Sequence, residues 1–187
     1  MAADVHAAIK QLLPDVVADL VRVTTERQLL ADLGERAERN ATYRIVLVVG
    51  HSNIEKLALA QDSAPSWSGV AKWLSPFRPK VMVLGACEAG RWLPSQTLFR
   101  GIESLREIYG SPVPTTQAQL LPLQALTLYL LAGRRVAKDY LRSAQTVAFA
   151  LTGGVIFRQT RAEASGDPVE ALLWTGLEDT VRKVLRR

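Results

Sequence analysis

The chain has 187 residues, a 48% hydrophobic share and a formal net charge of +5 at pH 7, which together predict one globular domain over 1–187 with a full core. Cys87 is the single cysteine, so an intramolecular disulfide is excluded and a reducing, cytoplasmic setting is expected. The N-terminal residues lack the pattern of a secretory signal. The most apolar stretch, 120–132, is shorter than the roughly 20 residues of a membrane span, so no membrane partner is expected.

Residues 4–39 are predicted to be helical. Apolar residues recur there at helical spacing: Ile9, Leu12, Leu13, Val16, Val17 and Leu20. Pro14 either kinks this helix or starts a second one. A charged segment follows from 25 to 40, with leucines at 29, 30 and 33 as its apolar stripe. Because the helices of residues 4–39 carry their own apolar stripe and precede the first strand, we expect residues 1–39 to be a docking element.

Two apolar runs predict buried strands, 43–50 and 80–86. The segment between them predicts a short edge strand over 54–60 and a helix from Trp67 to Leu74. Ser66 is a favourable N-cap for that helix, and Pro76 and Pro79 end it.

Helices and strands continue to alternate beyond the second strand. The pattern predicts a short helix over 95–101, a strand over 104–110, two apolar helices over 115–132 and 135–152, a strand over 155–161 and a terminal helix over 168–186. Such alternation predicts an α/β fold, in which helices cover both faces of a mostly parallel sheet.

Each of the two strong strands ends in a reactive side chain, His51 after the first and Cys87 after the second. Sheets of this kind place their sites outside the carboxyl ends of the strands. A lone cysteine with a histidine elsewhere in the chain is a candidate nucleophile and base. The small residues around Cys87 leave room for backbone N–H groups to face a developing oxyanion.

Other interpretations of these residues are weaker. Cys87 could be a small core residue, the usual fate of a free cysteine. Ser52 could be the nucleophile of a serine hydrolase, but Ile54 stands where that motif needs glycine, and no histidine follows His51. One cysteine and two histidines cannot build a zinc site, and the glycines form no phosphate-binding motif, so no metal or cofactor is expected. The scattered arginines indicate only a weak basic surface toward nucleic acid.

The sequence Leu84-Gly85-Ala86-Cys87-Glu88-Ala89-Gly90 after one strand, with Gly50-His51 after another, resembles the caspase-like cysteine peptidases. It is most similar to their bacterial CHAT branch, in which the cysteine turn typically reads Ser-Ala-Cys-Glu-Thr-Gly. The motif-supported resemblance covers about 43–115. The family usually has glycine after the histidine, where this chain has Ser52.

The resemblance implies a three-layer α/β/α sandwich and a cysteine endopeptidase that acts on protein or peptide substrates. Cys87 would be the nucleophile, His51 the general acid and base, and the N–H groups of Ser52 and Cys87 the oxyanion donors. Asp62 and Glu88 are candidate acids for the substrate pocket. The family further implies an activity that stays latent until a partner protein switches it on, in bacterial defence or signalling. The alternative is a catalytically inactive module of the same fold that binds a partner.

Overall fold

The computed structural model describes residues 2–15, 19–21, 25–58, 64–116, 118–119, 122, 124, 127–128 and 156–164. The predicted helices over 135–152 and 168–186 lie outside these residues. Among the described residues, no helix is long and apolar enough to cross a membrane.

The fold is α/β, as predicted, and is built on a four-stranded sheet in the order β1-β4-β5-β6. These strands are β1 (Ile45–Val49), β4 (Val81–Gly85), β5 (Glu107–Gly110) and β6 (Phe157–Thr160). The first two pairings, β1 with β4 and β4 with β5, are parallel, whereas β6 runs antiparallel to β5. The sheet is therefore mostly parallel, with one antiparallel strand at its edge.

A separate two-stranded sheet joins β2 (His51–Ser52) to β3 (Leu57–Ala58). The predicted edge strand over 54–60 is confirmed at residues 57–58, begins three residues later than predicted and pairs with the segment that carries His51; residues 59–60 lie outside the described part of the chain. The reason is a tight turn at Asn53, whose side-chain oxygen accepts the N–H groups of Glu55 and Lys56, both at 2.8 Å. An asparagine of this kind reverses the chain locally.

Helices α3 (Trp67–Leu74) and α4 (Trp92–Gly101) pack against one face of the sheet. The Ser66 cap is confirmed, since its hydroxyl accepts the Gly69 N–H at 3.2 Å. Helix α4 begins three residues before the predicted 95–101. Pro94 can lie in its first turn because the N–H that proline lacks has no helical partner there. The shared core contains Val70, Ala71, Met82, Leu84, Leu98, Phe99 and Ile108.

The N-terminal segment forms α1 (Ala2–Leu12) and α2 (Glu26–Glu38), so the helical prediction is confirmed over these residues. Pro14 lies in the turn that follows α1. Helix α2 contributes no buried residue. Its Arg36 donates to Asp32 at 2.7 Å and to the Tyr43 hydroxyl at 2.9 Å, and these hydrogen bonds raise the pKa of the guanidinium.

Strand β6 is tied to β5 by side chains as well as by backbone. Arg158 of β6 and Tyr109 of β5 both donate to the Glu107 carboxylate, each at 2.6 Å. Burial and the Glu107 hydrogen bond raise the pKa of Tyr109 well above its usual range. Such a paired and hydrogen-bonded charge cluster fixes the register of the antiparallel strand.

Candidate functional site

The pairing of β1 with β4 sets the relative position of His51 and Cys87. Every pair in this ladder is offset by the same number of residues, from Ile45 opposite Val81 to Val49 opposite Gly85. The separation between His51 and Cys87 equals this offset, since 87 − 51 and 85 − 49 are both 36. Both residues therefore stand two positions beyond the last pair of neighbouring parallel strands.

Two hydrogen bonds keep the two segments together beyond the strand ends. The Gly50 N–H donates to the Gly85 carbonyl at 3.2 Å. The Ser52 hydroxyl then donates to the carbonyl oxygen of Cys87 itself. The turn that carries the cysteine is thus fastened to the segment that carries the histidine.

The backbone N–H of Ser52 faces the same side as the cysteine turn. Asn53 donates to the Lys56 carbonyl at 3.0 Å, and the Leu57 N–H points away from β2 to the Pro65 carbonyl at 2.9 Å. In an antiparallel ladder this alternation makes Ser52 and Leu57 a pair without mutual hydrogen bonds. The Ser52 N–H consequently points away from β3, like the Gly50 N–H that meets β4.

The thiol of Cys87 is half-buried and is held by the backbone of Thr115. Its S–H donates to the Thr115 carbonyl at 3.4 Å, and the sulfur accepts the Thr115 N–H at 3.5 Å. Two further bonds lay the same segment along the cysteine turn, from the Gly90 N–H to Ser111 at 2.9 Å and from the Glu88 N–H to Val113 at 3.5 Å. We call residues Ser111–Thr115 the cover segment.

The cysteine turn requires close backbone approach at Gly90. A Cβ on Gly90 would lie 2.2 Å from the Gly110 carbonyl oxygen, and one on Gly110 would lie 2.8 Å from the Gly90 Cα. Only glycine allows two backbones to pack this tightly. The cysteine turn therefore packs against the end of β5 and is also hydrogen-bonded to β2.

Of the two acids predicted for the substrate pocket, the structure describes Glu88 but not Asp62. Glu88 has a left-handed φ of 56°, and its carboxylate forms an ion pair with Arg91 at 3.3 Å, with the two side chains only 18% and 11% exposed. Asp62 lies outside the described residues.

His51 lies on β2 with an exposed side chain. Within the described part of the chain, the hydrogen-bond partners of the Cys87 sulfur are both on Thr115, and none joins it to the His51 ring. The structure thus places both residues at one edge of the sheet, while the thiol is hydrogen-bonded to the Thr115 backbone.

Sequence reasoning missed two residues of this region, Thr115 and Gln124. One local signal was present, because Thr116 and Gln119 form a reciprocal capping box with bonds of 2.8 and 3.4 Å. That motif marks a helix start directly after Thr115. Gln124 occupies one of the helical positions that follow, and its amide lies against Gly85.

Over the described ranges, no three His, Cys, Asp or Glu side chains group together as metal ligands. The three tryptophans near the site are core residues, with Trp67 buried and Trp73 and Trp92 packed on the same cluster. No protein-family model and no curated protein matches the chain.

Proposed function

We propose that the protein is a cysteine endopeptidase of the caspase-like kind, with Cys87 as nucleophile and His51 as general acid and base. The observation that carries this proposal is the common register of the two residues at one sheet edge, with Ser52 bonded to the cysteine turn. An α/β sheet with its reactive side chains at the carboxyl ends of adjacent strands supports the same class of site.

The chemistry assigns each group a step. His51 takes the thiol proton as the sulfur attacks the substrate carbonyl carbon, and it later gives that proton to the leaving amine. The N–H groups of Ser52 and Cys87 stabilise the oxyanion of the tetrahedral intermediate. Water, with His51 as base, then hydrolyses the thioester and restores the thiol. The serine in place of the family's glycine keeps the N–H donor that this step needs.

The cover segment supports latency of the isolated chain. The Thr115 carbonyl accepts the thiol proton that His51 would have to receive, so this arrangement is a resting one. A partner that binds the uncovered state better shifts the population toward it, at about 1.4 kcal/mol of differential binding per tenfold change. We place such a partner in a cytoplasmic bacterial defence or signalling system.

Labelling of the thiol by iodoacetamide at neutral pH tests the pairing of the two residues. We expect His51→Ala to slow the labelling of Cys87, measured by intact mass against time, because the imidazole is the base that accepts the thiol proton. His6→Ala is the matched control, since His6 lies on α1. Equal rates in wild type and His51→Ala, measured with an activating neighbour protein present because the resting thiol is bonded to Thr115, would contradict the proposed dyad.

A second candidate is an inactive module of the same fold that binds a partner protein. It is favoured by the two backbone bonds that already satisfy the thiol. The two functions differ in the effect of Cys87→Ala on a complex with a protein encoded next to this chain. A peptidase loses cleavage with this change, whereas a binding module keeps its full affinity and never cleaves.

A further inference from the structure

The Gln124 side chain is fully buried, at 0% exposure. Neither its amide nitrogen nor its amide oxygen has a hydrogen-bond partner within the described structure. Buried polar groups are almost always paired, because an unpaired one loses its bonds to water without replacement. An unpaired amide at this depth calls for a ligand group that supplies both an acceptor and a donor.

This amide lies at the end of the strand that delivers Cys87. A Cβ on Gly85 would stand 2.3 Å from the Gln124 nitrogen and 2.8 Å from its oxygen. The amide thus occupies the space that any side chain at position 85 would fill, two residues before the nucleophile. The absence of a Cβ at Gly85 is what admits it.

A second unpaired polar atom lies on the residue that holds the thiol. The Thr115 hydroxyl is buried and, among the described residues, also lacks a partner. Within the described ranges, the Gln124 amide and the Thr115 hydroxyl are thus two buried, unpaired polar groups, the first against Gly85 and the second on the residue that contacts the Cys87 sulfur.

We propose that Gln124 determines specificity by binding the carboxamide side chain of the substrate residue whose carbonyl Cys87 attacks. This inference rests on the proposed peptidase function. A carboxamide, as in asparagine or glutamine, presents the acceptor and donor that the Gln124 nitrogen and oxygen lack. The charges described on the cysteine turn, Glu88 and Arg91, neutralise each other, so the turn offers no net charge to an acidic or basic side chain. The buried amide becomes reachable when the cover segment moves, which also frees the thiol.

The test uses two peptidyl acyloxymethyl ketones that differ only in their last residue, asparagine or its isostere leucine. The Cys87 sulfur attacks the probe's methylene carbon, a C–S bond forms, and the C–O bond breaks as the carboxylate leaves with the electron pair. The thiol proton passes to His51 and then to buffer. Labelling of the full chain at Cys87 is followed over hours by intact mass.

We expect the asparagine probe to label wild type about ten- to hundredfold faster than the leucine probe, as for a site that hydrogen-bonds a polar group. Gln124→Leu should abolish this preference, so that the asparagine probe no longer labels the variant faster than the leucine probe does. Gln11→Leu, at an exposed position of α1, should keep the preference. A thermal midpoint no lower than that of wild type confirms that Gln124→Leu is folded.

Equal labelling of wild type by both probes, or a preference that persists in Gln124→Leu, would overturn the specificity role and leave the peptidase intact. A different result identifies failure of the peptidase itself. In that case both probes label His51→Ala as fast as wild type, which would show that the histidine takes no part in the attack, and both proposals fall together.

Discussion

Ser52 shows how one residue can serve the site through both its side chain and its backbone. Its hydroxyl donates to the Cys87 carbonyl, while the strand alternation turns its N–H toward the same turn. Glycine at this position would supply only the N–H. The serine therefore adds a hydrogen bond between the two segments that glycine would lack.

Replacing Ser52 by alanine should loosen the cysteine turn, because one hydrogen bond worth about 0.5–1.5 kcal/mol is lost. We expect several-fold faster labelling of the resting thiol by iodoacetamide, with little change in the thermal midpoint. Ser68→Ala, on the exposed side of α3, is the control. An unchanged rate in Ser52→Ala would show that the hydroxyl does not hold the turn.

At the scale of elements, the packing of the cysteine turn on β5 depends on Gly90. Gly90→Ala puts a methyl group within 2.2 Å of a backbone oxygen, and such overpacking costs about 1–3 kcal/mol. Gly34→Ala is a matched contrast, since nothing lies within 4 Å of its Cβ and alanine favours a helix interior by about 0.5–1 kcal/mol. Urea unfolding should show opposite signs for the two variants. A neutral Gly90→Ala would mean that the turn can shift without loss.

The N-terminal helices α1 and α2 also give a prediction about whole elements of secondary structure. Because α2 buries no residue and the described core contains Ile9 of α1 but otherwise lies outside this segment, deletion of 1–39 should leave a folded domain that has lost binding to, or activation by, a partner. Size-exclusion chromatography and circular dichroism of the truncated chain measure the folding, and a pull-down with the candidate partner measures the binding. Aggregation of the truncated chain would show that these helices cover the sheet instead.

The elements that the sequence predicts correctly are those determined by residues close to one another in the chain. The strand before Cys87 is a continuous apolar run, and Ser66 caps α3 through a residue three positions away. The antiparallel pairing of β6 with β5 joins segments that are far apart in the chain, as the contact of Arg158 with Glu107 across 51 positions shows, and no local pattern encodes such a pairing. The meeting of Thr115 and Cys87 is likewise non-local. The sequence could therefore nominate His51, Ser52 and Cys87 but not the segment that covers the thiol.

For the whole molecule, the cover segment predicts latency. Purified chain should not cleave a pooled peptide library, whereas the chain mixed with proteins encoded beside it should cleave in a Cys87-dependent manner. Mass spectrometry of the library reads out the cut sites, and Cys87→Ala is the control. Full turnover by the chain alone would refute latency, and no cleavage with any neighbour would favour the binding module.

During synthesis, the ribosome produces His51, Cys87 and Thr115 in that order, so the parts of the site become available at different times. Cys87 is synthesised 36 residues after His51. The two residues share one sheet edge only after the segment between them has closed and β4 has paired with β1. Closing this loop costs chain entropy, which contacts between residues near each other in the sequence do not require. Thr115 emerges 28 residues later still, which at about 5–20 residues per second is one to several seconds. A nascent chain thus carries a thiol without its cover during that interval. If the parallel pairing with β1 forms no sooner than the cover segment, the meeting of His51 with Cys87 at one edge and the contact of Thr115 with the thiol are completed together.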